Sequence, residues 1–366
     1  MTPSSPRPTA AVEAMSAYTP GEQPQGGGWV KLNTNENPYP PSLKVVEALT
    51  QAVGGMPASL RLYPSPDAAP IREAVAQLHD FPAAQVVAGN GSDDVLNLLI
   101  RAYAGPGRAV GMLDPSYSLY PVLAAAQGAP LVKIPLQADG TWSVEAVVKS
   151  GTSIFFLTNP NAPLGYAFSL SQMEQLAQQY AGLLVVDEAY ADFAGANAVS
   201  LAKRYANVVV TRTLSKAYAL AGMRVGYALC PPAVAEVLHR VRDSYNLDRL
   251  AQVAAVAALR DQQWLSETVQ KICQTRTQVA ARLQAWGWKV IPASGNFIFA
   301  EPVRAGQGAS SDLAASAFEF LRTQKILVRR FPNHPLTAAG LRISIGTDAE
   351  MQAFLRAAEA WTQGGG

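Results

Sequence analysis

Leu183–Tyr190 reads LLVVDEAY. Four consecutive apolar residues followed by an acid form the pattern of a strand buried on both faces of a parallel sheet, which delivers Asp187 to its carboxyl end. Open α/β sheets gather their ligands at that end. A carboxylate placed there keeps a ring nitrogen protonated and makes a pyridine ring an electron sink. An acid after a strand also serves as a helix cap or a metal ligand. Apart from Glu188, no second carboxylate or histidine cluster stands beside Asp187, which ranks a metal low.

Working outward, helical and strand patterns alternate from Ala69 to Thr211. A helical segment at 70–79 precedes a strand at 85–88, the turn GNGSDD (89–94) and an amphipathic helix at 93–104. Strands at 109–113, 131–134, 153–158, 183–187 and 207–211 follow, separated by helical or turn-rich pieces. This rhythm predicts an α/β fold with a mostly parallel central sheet and right-handed crossovers. In GNGSDD, Gly91 permits close backbone approach, and a helix start at Ser92 and Asp93 offers free N–H groups to a phosphate. The segment is neither GxGxxG nor a Walker lysine motif, which argues against nucleotide binding.

Thr211–Gly226 reads TRTLSKAYALAGMRVG. It places Lys216 just after a strand, beside small residues, where an amine can lose its charge and form a Schiff base with an aldehyde cofactor. Ser215 and Arg224 supply a neutral donor and a forked cation for a phosphate. An isolated Ser-Lys pair is usually a solvated turn. Together with Asp187, the three residues point to pyridoxal 5'-phosphate, which carries both an aldehyde and a phosphate.

Beyond Arg224 the pattern turns strongly helical, at 232–242 and from 247 to about 286. Strands at 289–291, 296–300, 326–329 and 341–345 and helices at 311–322 and 348–362 complete an α+β region. Arg329 and Arg342 lie in its strands, where an arginine is costly unless it meets an anion or a structural carboxylate. Before the α/β region, residues 1–28 are rich in Pro, Ser and Gly and read as a flexible arm. The segment KLNTNENPYPPS (31–42) reads as an ordered loop, and RLYPSPD (61–67) presents Tyr63 on a Pro-rich loop. The expected division is an arm at 1–28, a segment at 29–45 packing with the small domain, a large domain at 46–250 and a small α+β domain at 251–366.

The 366 residues are 49% hydrophobic and 15% charged, enough to bury a large core. A formal net charge of +2 without a basic run gives no electrostatic footprint for nucleic acid. No run is long enough to cross a membrane and no signal peptide is visible. Two distant cysteines, Cys230 and Cys273, fit a reducing compartment, and the expected location is cytoplasmic. Three scattered histidines, His79, His239 and His334, argue against a histidine-based triad or metal site.

TLSKAYALAGMRVG, VVDEAY, NPNAPLG (159–165), GNGSDD, LNTNENPYPPS and LRISIG, in this order and spacing, resemble the fold-type-I pyridoxal-phosphate aminotransferases, and among them the histidinol-phosphate aminotransferase family most. The resemblance implies a large domain with the parallel sheet, a smaller C-terminal domain and a homodimer. It implies that Lys216 bonds the cofactor, Asp187 meets the ring nitrogen, Tyr117 stacks on the ring and Tyr190 bonds the phenolic oxygen. Gly91, Ser92, Asp93, Ser215 and Arg224 would surround the phosphate, with Tyr63 reaching the phosphate of the neighbouring subunit. Arg329, Arg342 and Asn35 would bind substrate. The family's usual Asn-Pro-Thr-Gly is here Ala162-Pro163-Leu164-Gly165, so the asparagine that often donates to the phenolic oxygen is missing; Asn161 and Tyr190 stand as candidates for that contact. The implied reaction is transamination of histidinol phosphate with 2-oxoglutarate. Other readings are an aromatic or other amino-acid aminotransferase, a decarboxylase of an amino-alcohol phosphate, and a silent cofactor-binding regulator.

Overall fold

Seven strands form the main sheet of the computed structural model, which describes residues 7–55 and 57–364. Their order in space is Val86–Asn90, Val225–Leu229, Val208–Thr213, Leu183–Asp187, Ile154–Thr158, Val110–Asp114 and Leu131–Pro135. Leu183–Asp187 is central, paired in parallel with Ile154–Thr158 and Val208–Thr213. Side chains alternate across a strand. Leu184 and Val186 therefore enter one apolar core and Leu183 and Val185 the other, which explains a continuous apolar run in place of an alternating one.

Val225–Leu229 is a strand that the sequence reading, with helices from 232 onward, leaves unassigned. This strand runs antiparallel between Val208–Thr213 and Val86–Asn90. The chain leaves the sheet at Leu214, passes through Lys216 and returns at once, so the Lys216 segment is a loop tied to the sheet at both ends. A sequence pattern dominated by the helices that follow hides a five-residue strand that is wholly buried.

The helical region from 247 to 286 is two helices, Arg249–Arg260 and Gln262–Ala285. They are divided at Asp261, whose backbone (φ −102, ψ 62) leaves the helical region and whose carboxylate accepts from Lys44 at 2.8 Å. Beyond them a four-stranded antiparallel sheet takes the order Arg329–Arg330, Leu341–Ser344, Phe297–Glu301, Lys289–Ile291. The strand expected at 326–329 is divided. Ile326–Leu327 pairs instead with Val30–Lys31, so the start of the chain is stitched to its C-terminal region.

Candidate active site

A cavity opens at the carboxyl end of the central strands and reaches across to the smaller sheet. Asp187, Lys216, Arg224, Tyr190, Arg329 and Arg342 are among the residues lining it.

Asp187 is 3% exposed. Tyr120 Oη donates to its Oδ2 at 2.6 Å and Thr211 Oγ1 donates to Oδ1 at 3.3 Å. Burial pushes the Asp187 carboxyl up to about 6, and the hydrogen bond from Tyr120 works against that rise. A carboxylate only accepts, so Tyr120 must spend its proton on Asp187. Thr158, 2.6 Å from Tyr120 Oη, then donates to Tyr120. Glu188, the next acid, faces away from this chemistry: it pairs with Arg212 at 2.7 Å and accepts from the Ala198 N–H. Among the described residues no group of three His, Cys, Asp or Glu could hold a metal ion.

Lys216 Nζ donates to the Thr34 carbonyl at 2.9 Å and lies 5.9 Å from the centre of the Tyr190 ring. Beyond it, the helix Ser92–Tyr103 begins after Gly91 without a side-chain cap, leaving its first N–H groups available. Gly91 has φ +85, and a Cβ there would lie 2.6 Å from Arg224 Nη2. Arg224 reaches Ser215 Oγ at 3.4 Å and Asp93 Oδ2 at 3.2 Å. The Asp93 carboxylate also accepts from Tyr117 Oη at 3.1 Å. Its side chain cannot donate to a phosphate, so its contribution to one is the backbone N–H. The Tyr117 ring lines the cavity and stands edge-on to Tyr120 and Tyr18.

Arg329 and Arg342 face each other as a register pair across two antiparallel strands. Like charges placed so are destabilising unless an anion joins them. Arg342 Nη2 donates to the Asn33 carbonyl at 2.9 Å, while its buried Nε has no partner. Arg329 donates to the carbonyls of Thr19 and Pro20, each at 3.1 Å. Neither has a carboxylate partner among the described residues. Burial and the Arg329 charge draw the Arg342 guanidinium below its usual range, the direction of a cation that lacks its anion.

Three expected residues lie elsewhere. Asn161 is fully buried beneath the lining residues Ala162 and Pro163. Its amide donates to the Pro115 carbonyl at 3.1 Å, and its Oδ1 can only accept. Asn35 is also fully buried; its amide donates to Tyr190 Oη at 3.0 Å. Tyr63 is 77% exposed, outside the cavity lining, and stacks on Tyr245 with ring centres 4.5 Å apart. Conversely, sequence reasoning passed over Tyr18, Thr34, Tyr120, Thr158 and Phe331. Tyr18 sits in the stretch read as a flexible arm, with no periodicity to mark it. Tyr120 had a signal, three residues after Tyr117 at the start of a helix, the spacing that places two side chains on one face.

The donor set fits pyridoxal 5'-phosphate: an amine, a buried carboxylate at a strand end, an aromatic face, and a cup made of a helix start, a serine and an arginine. Residues 27–357 match the family described as aminotransferase class I and II. A histidinol-phosphate aminotransferase from Geobacter sulfurreducens is 50% identical over 348 residues, covering 94% of this chain and 97% of the other. One from Synechocystis is 42% identical, covering 95% and 96%. The crystal structure of histidinol-phosphate aminotransferase from Sinorhizobium meliloti, in complex with pyridoxal-5'-phosphate, superposes with a TM-score of 0.87 at 26% identity, covering 98% of this chain and 99% of that one. With the cavity's amine, carboxylate and phosphate cup arranged on this sheet, the chain belongs to the class I and II aminotransferases and, within them, to the histidinol-phosphate aminotransferase family.

Proposed function

We propose that the protein transfers the amino group of histidinol phosphate to 2-oxoglutarate, giving imidazole-acetol phosphate and glutamate in alternating half-reactions, with pyridoxal 5'-phosphate as cofactor. The observation that supports this most is the cross-strand pair Arg329 and Arg342. Two guanidinium groups without a protein carboxylate suit a phosphate dianion in one half-reaction and a carboxylate in the other.

The bound cofactor supplies an aldehyde for the amino group and a ring that takes up electrons from the carbon below it. Lys216 Nζ would anchor it and, when free, would act as the base that takes the proton from the substrate carbon bearing nitrogen and returns it to the carbon on the far side of that nitrogen, two atoms away. Asp187 keeps the ring nitrogen protonated. Tyr190 donates to the phenolic oxygen, and Tyr117 covers the ring face. Arg224, Ser215 and the N–H groups at Ser92 and Asp93 hold the phosphate, with Gly91 allowing close approach.

The assembly we infer is a homodimer. Leu43 and Tyr63 are each 77% exposed, and Val46, Val53, Leu60 and Leu62 stand out beside them in sequence; a partner covering this face would bring its own Tyr63 toward the phosphate cup. We read 46–250 as the cofactor-binding domain and 251–366 as the smaller one, with 29–45 assigned to the latter through Val30–Lys31. We place the enzyme in the cytoplasm, in keeping with two free cysteines. Among the described residues no helix is long and apolar enough to cross a membrane.

Steady-state kinetics test the substrate. Histidinol phosphate should give the highest kcat/KM, unphosphorylated histidinol a poor one, and Arg329→Ala should hurt the phosphorylated substrate more than glutamate. Loss of a charge-assisted contact costs about 1.5 to 3 kcal/mol, roughly ten- to a hundred-fold in kcat/KM. Phenylalanine or tyrosine outperforming histidinol phosphate would replace this reading with an aromatic aminotransferase.

A further inference from the structure

The hydrogen bonds around Asn35 have a fixed direction. The Asn35 backbone N–H donates to Ser344 Oγ at 2.8 Å, so that oxygen is already an acceptor. The Ser344 hydroxyl proton goes to the Asn35 side chain, 2.9 Å away, which requires Oδ1 there. The other end of the amide, Nδ2, then faces Tyr190 Oη at 3.0 Å and donates to it. Turning the amide over would set Nδ2 against Ser344 Oγ and leave the proton of Ser344, a residue only 3% exposed, without that acceptor. Asn35 is further locked by Asn296, which donates to its carbonyl at 2.9 Å, and by a left-handed backbone (φ +56) that asparagine tolerates better than most residues.

A phenol that accepts from Asn35 keeps its own proton. Tyr190 Oη has no other partner among the described residues, and Tyr190 lines the cavity. Ala162, also in the lining, offers no side-chain donor, and Asn161 is fully buried outside the lining with its amide donating to the Pro115 carbonyl. We propose that Asn35, oriented by Ser344, is a positioning residue that keeps the Tyr190 hydroxyl proton aimed into the cavity, so that Tyr190 alone supplies the donor that an asparagine at position 162 would otherwise share. The inference rests on the reading of the cavity as a pyridoxal-phosphate site. It assigns Asn35 to the orientation of Tyr190 and not to contact with substrate. It also links the two halves of the site, because Ser344 lies two residues after Arg342 on the same strand.

Asn35→Asp tests it. The variant keeps nearly the same shape, a residue type that tolerates the left-handed backbone and an oxygen for Ser344, but its second oxygen accepts, and Tyr190 must turn its proton away from the cavity. The measurement is the pH titration of the visible absorption of the protein loaded with pyridoxal 5'-phosphate. A phenolic oxygen that receives no hydrogen bond holds a nearby proton more tightly, so the midpoint should rise. Tyr190→Phe should raise it by roughly one to two pH units, Asn35→Asp by a comparable amount, and the double variant by no more than Tyr190→Phe alone. Ser344→Ala, which removes one hydroxyl, guards against misfolding of the first variant and should raise the midpoint by less, and only when Tyr190 is present. A midpoint that moves with Tyr190→Phe but ignores Asn35→Asp and Ser344→Ala overturns this inference alone, as do shifts that add in full. A wild-type protein with no visible band overturns the cofactor reading with it.

Discussion

Burial raises the Asp187 carboxyl from the ordinary value near 3.8 to about 6, which ties the stability of the cofactor-free protein to pH. Well below pH 4 the group is protonated whether folded or unfolded and costs nothing. As pH rises from 4 to 6 the unfolded chain ionises first, so stability falls, and above 6 the penalty is complete, on the order of 3 kcal/mol. Asp187→Asn should therefore stabilise the cofactor-free protein at pH 8 relative to its effect at pH 4, by about 2 to 3 kcal/mol in denaturant unfolding. An equal effect at both pH values would mean that Asp187 is not a buried charge. The same substitution should lower kcat sharply in the loaded enzyme, because the neutral side chain no longer holds the ring nitrogen protonated. At this scale the sequence announced the residues that occupy marked places, Asp187 at the end of Leu183–Asp187 and Lys216 in the loop after the next strand, Val208–Thr213. It did not announce Tyr18, and the three-residue spacing that ties Tyr120 to Tyr117 did not name Asp187 as its partner, because such tyrosines gain their roles only from what the fold sets opposite them.

The cup at the start of helix Ser92–Tyr103 depends on an element that sequence patterns did not reveal. Gly226, in the strand Val225–Leu229, lies so close to that helix start that a Cβ would come within 2.2 Å of the Ser92 nitrogen and 2.6 Å of the Gly91 carbonyl carbon. Both are backbone atoms and cannot swing aside. Gly226→Ala should push the helix start away from Arg224, lowering stability by about 1 to 3 kcal/mol and weakening pyridoxal 5'-phosphate binding about ten-fold or more. Thermal unfolding and cofactor titration would measure the two effects; unchanged affinity would show that the cup is set by Arg224 and Ser215 without the helix. The parallel strands were legible because each carries a short apolar run bounded by helical or turn-rich pieces, even where Lys133 interrupts Leu131–Pro135. Val225–Leu229 escaped notice because its run follows directly on the Lys216 loop and precedes a long helical stretch. The break at Asp261 escaped because one non-helical residue barely disturbs a helical period.

Across the whole molecule, the proposed homodimer would give Tyr63, 77% exposed and outside the cavity lining of its own chain, a role only in a neighbouring copy. Mixing an inactive Lys216→Ala protein with an inactive Tyr63→Phe protein should restore part of the activity in hybrid dimers, in which one site has both residues intact. No recovery, with subunit exchange demonstrated, would remove Tyr63 from the site. The change beyond Arg224 from alternating strands and helices to a mixed pattern was legible, and the strands after it, apart from Val225–Leu229, lie outside the seven-stranded sheet. How the first forty residues join the last forty was not visible, because the parallel pair of Val30–Lys31 with Ile326–Leu327 has only two residues on each side. That join sets a timetable for synthesis. Asn35 and Ser344 are 309 residues apart, which at about 5 to 20 residues per second separates their emergence by roughly 15 to 60 seconds. Asp187 can take its place in the sheet, and Lys216 in the loop between Val208–Thr213 and Val225–Leu229, during that interval, but the remaining wall, with Tyr190 anchored and both arginines in register, is complete only when the last strand leaves the ribosome.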